Sequence, residues 1–170
     1  MIRVREFAIA DYDQVAEVWS EAGLEFRPGD ELEGIRAKLR RDPELFLVAE
    51  ERGRVVGTAM GAWDGRRGWI YHLGVRPGYQ RREVGTRLVR EVEARMRRKG
   101  VRKVNALIYP SNGPSIGFFS KNGYSVSEMV EAQKYLDEGG VGEGGRRGEE
   151  RKGRPPSGAP GRPRGRAPPT

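Results

Sequence analysis

The chain has 170 residues, no cysteine, 36% hydrophobic residues and a formal net charge of +8. This size and apolar content are enough for one hydrophobic core, and the lack of cysteine excludes disulfides and thiolate metal sites. The first residues lack the apolar run of a signal peptide, and no segment approaches the roughly 18 apolar residues of a membrane span. We therefore expect a cytoplasmic protein with no metal cofactor and no membrane contact.

The net positive charge is concentrated near the end of the chain. Residues 139–170 contain 8 Lys/Arg and 3 Asp/Glu, so a net +5 falls there and +3 on the remainder. This segment is rich in Gly, Pro and Arg and poor in apolar residues, and burial could not offset an ordering entropy of roughly 1–2 kcal/mol per residue. We predict a disordered basic tail over 138–170. It either contacts nucleic acid or the ribosome weakly, or is simply solvated.

The first 62 residues predict one strand, two helices and a β-hairpin. Apolar and charged residues that alternate with period two indicate strands, and apolar residues spaced three and four apart indicate helices. A turn containing Gly53 between two β-branched runs indicates the hairpin. In chain order these elements are a strand over 2–9, helices over 11–23 and 30–42, and strands over 45–50 and 55–62.

The rest of the domain predicts strands and helices in alternation. A turn at Asp64-Gly65 adds a third strand to the hairpin, and the strand after the long helix should run parallel to the strand before it. The predicted elements are a strand over 69–75, a helix over 84–99, a strand over 101–109, a short helix over 112–122, and strands over 124–128 and 131–136. The expected fold is an α/β domain over 1–137 with a mixed sheet of about seven strands and four helices.

The turn between the strand at 69–75 and the long helix has the character of a phosphate-binding site. It reads Gln80-Arg81-Arg82-Glu83-Val84-Gly85-Thr86. Backbone N–H groups at a helix start bind anions, and two arginines lie beside them. The sequence therefore predicts a binding site for a diphosphate here.

This order of elements resembles the GNAT superfamily of acetyl-CoA-dependent N-acetyltransferases over about residues 1–137. The runs 45–50 and 55–61 are similar to those of its small bacterial YpeA-like branch. The most specific part is Leu73-Gly74-Val75-Arg76-Pro77-x-Tyr79-Gln80 continuing to Gly85, with Ser111-Asn112 and Asn122-Gly123-Tyr124 after it. The resemblance implies transfer of an acetyl group from acetyl-CoA to a primary amine on a small molecule, peptide or protein.

The resemblance also implies where acetyl-CoA binds. In such proteins the sheet opens between the strands at 69–75 and 101–109, and the pantetheine arm fills the gap like an added strand. Main-chain groups hold the arm and the diphosphate, and Asn112 touches the arm with its side chain. The residues assigned to the cofactor in this way are Leu73, Gly74, Val75, Gln80, Arg81, Arg82, Glu83, Val84, Gly85, Thr86 and Asn112.

Two positions depart from the family pattern. Glu83 stands where the family usually has glycine, so we expect weakened cofactor binding, with the carboxylate turned outward and in ion-pair reach of Arg87. Phe119 stands where many members have the tyrosine that protonates the leaving thiolate, and phenylalanine has no proton to give. These two departures prompt a second hypothesis besides an active enzyme, namely a catalytically weak CoA-binding module.

Tyr71 and His72 are the candidates for the base that deprotonates the acceptor amine. His72 is the only histidine, and Tyr71 matches strand positions where other family members place a histidine. Strand neighbours face opposite sides of a sheet, so at most one of them faces the site unless a bulge intervenes. The alternative for each is packing, with Tyr71 in the cleft wall and His72 under a helix.

The expected reaction is direct transfer in a ternary complex, because the chain has no cysteine to carry the acetyl group. We expect a monomer or a homodimer. The loop at 25–30 and the segment after Tyr124 should border the acceptor amine. Glu25 or Asp30 could attract a cationic acceptor, and both are equally plausible as ordinary surface charges.

Overall fold

A mixed five-stranded sheet forms the centre of the fold. The computed structural model describes residues 1–136, and within them no helix is long and apolar enough to cross a membrane. The elements are β1 (Arg3–Glu6), α1 (Tyr12–Glu21), α2 (Leu32–Arg41), β2 (Phe46–Glu51), β3 (Arg54–Trp63), β4 (Gly68–Val75), α3 (Val84–Arg98), β5 (Val104–Ala106) and α4 (Gly113–Lys121). All belong to a compact unit formed by Met1–Ala132; of the second unit, Gln133–Thr170, residues 133–136 are described and carry no regular secondary structure.

The strands lie side by side in chain order, from β1 to β5. The first four pair antiparallel, as the predicted meander requires. The last pair, β4 and β5, is parallel because α3 connects them. Strand order and direction therefore agree with the sequence-based prediction.

Helices cover both faces of the sheet, and each face has its own core. On one face α1 and α2 pack against the sheet, and the buried residues are Phe7, Val15, Val18, Trp19, Ile35, Phe46, Val48 and Val55. On the other face α3 and α4 contribute to the larger core, whose buried members include Leu45, Leu47, Val56, Ile70, Val84, Leu88, Val92, Met96 and Phe119. Alternate residues of β2 enter opposite cores, as the period-two pattern predicts.

Glycines in β3 let α3 lie close to the sheet. A Cβ at Gly57 would stand 3.0 Å from Val84 Cγ1, and one at Gly61 would stand 2.8 Å from Val92 Cγ1. Gly57 thus fixes the position of the first turn of α3, where the diphosphate site is predicted.

The prediction of about seven strands is wrong. No strand forms within 124–128 or 131–136, and β5 has three residues where nine were expected. A strand needs a hydrogen-bonded neighbour, which local sequence cannot supply. Val126, Tyr135 and Leu136 are exposed, so the apolar residues of the two segments gave a strand signal without a buried face. The predicted tail over 138–170 lies outside the described residues.

Candidate functional site

The sheet opens where β4 extends beyond β5. The two strands pair from Gly68 opposite Val104 to Ile70 opposite Ala106, and the pairing ends there. On its other edge β4 remains paired with β3 as far as Val75. The second half of β4 therefore presents an edge that has no strand partner among the described residues. Backbone N–H and C=O groups on such an edge can hold an extended ligand.

A β-bulge in β4 lies at this opening. Thr58 pairs with Gly74 and Met60 pairs with Tyr71, so the single residue between them on β3 faces two residues on β4. One of the two is His72, whose φ of 47° is left-handed. The bulge cancels the strand alternation: Tyr71 shares the face of its partner Met60, and His72 packs on the same side, against α1.

His72 lies between α1 and the loop that follows it. Its Nε2 is 2.8 Å from Oδ2 of Asp30, and its ring centroid is 4.5 Å from that of Trp19. The Thr58 hydroxyl donates to the His72 carbonyl oxygen at 2.9 Å and accepts from Trp19 Nε1 at 3.0 Å. His72 therefore packs under α1, as one of the two predictions for it stated. It also has a polar contact with Asp30 that the sequence did not indicate.

Asp30 is buried, which corrects its treatment as a possible surface charge. Its side chain is bound to His72, and Oδ2 also accepts from the backbone N–H of Arg27 at 2.8 Å. The sequence places Asp30 at a helix start, whereas α2 begins two residues later with Glu31 as its N-cap. The sequence did not predict the contact between Asp30 and His72, because an aspartate before an apolar helical pattern is typical of a helix cap.

Tyr71 is half-exposed and stacks on Trp69, with ring centroids 6.4 Å apart. Burial raises the pKa of Tyr71, and the carboxylates of Asp64 and Glu131 raise it further. The phenol therefore stays protonated at neutral pH. In this state it can donate or relay a proton, but it is not itself a base.

The turn before α3 offers backbone donors. Arg81 and Glu83 both have left-handed φ values, 59° and 60°, and no side chain caps the helix. Among the described residues, the N–H groups of 81–86 find no acceptor in good hydrogen-bonding geometry. Successive N–H groups in such a turn converge on a concave surface that binds anions. The predicted Val84, Gly85 and Thr86 form the first turn of α3.

The polar side chains of this turn have different partners. Gln80 donates from Nε2 to the carbonyl oxygen of Val75 at 3.1 Å, which ties the turn to the end of β4. Arg82 stacks over the ring of Tyr79 and lies 3.3 Å from a carboxylate oxygen of Glu51. Arg81 is exposed and forms no ion pair within residues 1–136, so it is the arginine free to meet a phosphate.

Glu83 is exposed, in agreement with an outward carboxylate, but the ion pair that its spacing from Arg87 suggested is absent from the described structure. The hydrogen bond that joins the two residues runs from the Arg87 backbone N–H to the Glu83 carbonyl oxygen, 2.9 Å away. The reason is the left-handed backbone of Glu83, which precedes the helix and does not share its side-chain geometry.

Helix α4 and the residues at its two ends contribute Asn112, Phe119 and Tyr124. Asn112 caps it, since its Oδ1 accepts from the backbone N–H of Ser115 at 3.1 Å. Phe119 is 5% exposed and meets the ring of Tyr124 edge to face. The Tyr124 hydroxyl donates to Glu93 at 2.7 Å, and burial together with that carboxylate raises the pKa of Tyr124 well above its usual range. Tyr124 is thus already paired with a carboxylate.

The loop after α1 contacts the chain beyond β5. Arg27 donates a hydrogen bond to the Tyr109 hydroxyl and lies over the Tyr109 ring. The same hydroxyl is 3.3 Å from a carboxylate oxygen of the exposed Glu25. This loop therefore borders the opening on the side of α1, where the acceptor was expected. Residues 125–136, which follow Tyr124, have no regular secondary structure.

Comparisons with known proteins agree with this fold. The model of the acetyltransferase (GNAT) family matches residues 10–124. An acetyltransferase of Yersinia pestis is 36% identical over 136 residues, which cover 79% of this chain and 96% of that protein. One of Pectobacterium atrosepticum is 34% identical over 138 residues, covering 81% and 97%.

Solved structures share the architecture. The PaiA N-acetyltransferase from Thermoplasma acidophilum, in complex with coenzyme A, superposes with a TM-score of 0.70 at 22% identity and covers 76% of this chain and 93% of its own. Glucosamine-6-phosphate N-acetyltransferase from Arabidopsis thaliana gives 0.61 at 20% identity, covering 81% and 99%. These similarities concern the fold. With the family match and the relatives above 30% identity, they show that the chain belongs to the acetyltransferase (GNAT) family.

Proposed function

We propose that the protein transfers the acetyl group of acetyl-CoA to a primary amine by direct attack in a ternary complex. One observation carries this proposal: within residues 1–136, the second half of β4 has an edge with no strand partner, and shortly after it the chain forms a turn whose backbone N–H groups find no acceptor. An extended arm that ends in a diphosphate fits this combination of an open strand edge and an anion site. The complex of the PaiA relative with coenzyme A supports it.

In this proposal the cofactor is held mainly by backbone. Leu73, Gly74 and Val75 lie along the open edge and bind the pantetheine arm. The turn from Gln80 to Thr86 binds the diphosphate through its N–H groups, and the exposed Arg81 adds a positive charge. Asn112, at the start of α4, contacts the arm on the opposite side of the gap, in addition to capping the helix.

The chemistry requires a neutral amine, a donor for the developing oxyanion and a proton for the leaving thiolate. A backbone N–H at Leu73 or Val75 is the oxyanion donor, a role worth about 10²–10³ in rate in other enzymes. His72 accepts the proton of the amine, and Tyr71 relays protons through water. Phe119 and the paired Tyr124 leave solvent as the acid, which suffices because a thiol of pKa about 8.5 is a good leaving group.

A CoA-binding module with weak catalysis is the second candidate. It rests on two observations: Phe119 offers no proton, and Tyr124 is bound to Glu93. Both candidates predict cofactor binding, and they differ in turnover.

Two assays test the proposal. Calorimetry with acetyl-CoA measures binding, and release of free thiol in the presence of primary amines, from amino sugars to peptides, measures transfer. We expect binding together with amine-dependent thiol release. Binding with no thiol release for any amine would favour the CoA-binding module, and no binding would reject both.

A further inference from the structure

We propose that Asp30 is the positioning residue of His72: it accepts the hydrogen of Nε2 and thereby leaves the Nδ1 lone pair to take the proton of the acceptor amine. This inference rests on the proposed acetyl transfer, in which His72 is the base. It assigns a role in catalysis to the loop between α1 and α2, which carries no catalytic residue of its own.

The tautomer follows from the contacts of one carboxylate oxygen. Asp30 Oδ2 accepts the backbone N–H of Arg27 and lies 2.8 Å from His72 Nε2. Asp30 is 6% exposed, and Oδ2, which already accepts the Arg27 N–H, is an acceptor toward the imidazole as well. Nε2 therefore carries the hydrogen. The neutral ring then has its lone pair on Nδ1.

Nδ1 is accessible. It has no hydrogen-bond partner among the described residues, and within that part of the chain no buried side-chain nitrogen or oxygen lacks a partner. Nδ1 therefore reaches solvent. Nδ1 of His72 is thus accessible, while Nε2 is held by Asp30. A general base requires this arrangement.

The ring cannot easily turn over. Trp19 packs edge-on against it, and the His72 carbonyl is held by Thr58, itself fixed by Trp19 Nε1. The bulge places His72 two residues beyond Ile70, where the pairing of β4 with β5 ends. The fixed ring therefore stands at the start of the open edge, on the same face as Tyr71.

The charges around the ring favour this role. Asp30 is the charged side chain in contact with it, the contacts from α1 and β3 come from the neutral Trp19 and Thr58, and Tyr71 beside it on β4 stays protonated. In the reaction the amine nitrogen bonds to the acetyl carbon to give a tetrahedral oxyanion, and the C–S bond breaks as the carbonyl re-forms. The amine proton moves to Nδ1, Asp30 stabilises the imidazolium, and the thiolate takes a proton from solvent.

Nitrogen NMR of the imidazole tests the tautomer directly, because the chain has a single histidine. We expect a proton on Nε2 in the full-length protein, with slow exchange. Asp30→Asn keeps an oxygen acceptor and should keep this signal. Asp30→Ala removes the acceptor, so the proton should exchange rapidly and the two nitrogens should average. Glu31→Gln, at the exposed neighbouring carboxylate, is the control and should match the unaltered protein.

The pH dependence of kcat/KM for thiol release separates positioning from simple stabilisation. Asp30→Asn should move the acid limb to lower pH, because the imidazolium loses its counter-charge. Asp30→Ala should lower kcat by about 10²-fold, the scale of general-base effects, with a smaller change in KM. Thermal unfolding identifies any variant that fails to fold; Asp30→Asn, which retains an acceptor for Arg27, then decides.

A proton on Nδ1 in the unaltered protein, or an Asp30→Asn pH profile identical to that of Glu31→Gln, would overturn the proposal. Failure of the proposed function looks different. In that case no amine gives thiol release, while the imidazole signals of the full-length protein and its variants still report the tautomer.

Discussion

Glu83 occupies a backbone conformation that suits glycine. Its φ of 60° lies in the left-handed region, which costs a side chain about 1–2 kcal/mol, and it stands at the N-cap of α3. Replacing Glu83 by Gly should raise the free energy of unfolding by about 0.5–1 kcal/mol. It should also lower the Kd for acetyl-CoA by up to about fivefold, since an exposed carboxylate repels the diphosphate by less than about 1 kcal/mol.

Arg52→Gly is the matched control for this prediction. Arg52 has a φ of 53° in the turn between β2 and β3. The variant should gain similar stability in urea unfolding with no change in calorimetric affinity. An unchanged affinity for Glu83→Gly would remove the idea that this carboxylate weakens cofactor binding.

Phe119 lies in the buried core next to the opening, where many relatives are expected to carry a catalytic tyrosine. Phe119→Tyr should raise kcat for thiol release by about tenfold or more, because a phenol can protonate the thiolate. Stability should fall by about 1 kcal/mol, since the hydroxyl enters a site that is 5% exposed. A stability loss without any gain in kcat would show that position 119 does not reach the sulfur.

At the scale of residues, the sequence identified the candidate catalytic side chains but not the side chains that contact them. His72 and Tyr71 were selected by residue type, yet their common face depends on a bulge that strand periodicity does not reveal. Asp30 meets His72 across 42 positions of the chain, a contact that only the packing of α1 against the sheet creates. The roles given to these residues stay predictions.

The packing of α3 against α4 controls the shape of the diphosphate site. A Cβ at Gly85 would stand 3.2 Å from Phe118 Cε2. Gly85→Ala should therefore displace the first turn of α3, destabilise the protein by about 1 kcal/mol and weaken acetyl-CoA binding severalfold. In Gly117→Ala, where a Cβ meets nothing within 4 Å, stability should rise by about 0.5–1 kcal/mol and affinity should not change. Equal affinities for the two variants would contradict this account of the site.

A partly buried ion pair joins β1 to the start of α1. Arg5 donates from Nη1 and Nη2 to both carboxylate oxygens of Asp11, at 2.7 and 2.9 Å. This hydrogen bonding holds the pKa of Asp11 below its usual range. A lowered pKa in the folded state stabilises the protein above the unfolded value, about 3.9, and the stabilisation is lost as pH falls through the folded pKa.

Asp11→Asn should therefore reduce the free energy of unfolding by roughly 2 kcal/mol at pH 7, and by progressively less below about pH 4. Urea unfolding across this range measures it. Asp13→Asn, on the exposed side of the same helix start, is the control and should change stability by less than about 1 kcal/mol at any pH. A loss for Asp11→Asn that did not depend on pH would mean that the charge is not what stabilises the pair.

At the scale of elements, strong periodic signals were sufficient for β2, β3, β4 and all four helices. The parallel direction of β5 followed from the helix before it. The prediction of two final strands was wrong because apolar alternation does not reveal whether a segment has a strand to pair with. The length of β5 was predicted wrongly for the same reason, because the point at which its pairing with β4 ends depends on both strands.

At the scale of the whole molecule, the chain is a basic member of the acetyltransferase family. Most of its net charge, +5 of +8, falls on residues 139–170, so the net charge of the whole chain says little about the catalytic domain. The cytoplasmic location, the monomer or homodimer and the contact of the tail with nucleic acid or the ribosome stay predictions from sequence.

The central claim concerns one continuous surface, from the open edge of β4 to the first turn of α3. A crystal structure of the protein with bound acetyl-CoA tests it most directly. We predict the diphosphate on the N–H groups of residues 81–86 and the pantetheine arm along Leu73 to Val75, between β4 and the chain after β5. A nucleotide bound elsewhere, or β4 and the residues after Ala106 joined by hydrogen bonds with no gap between them, would contradict the account.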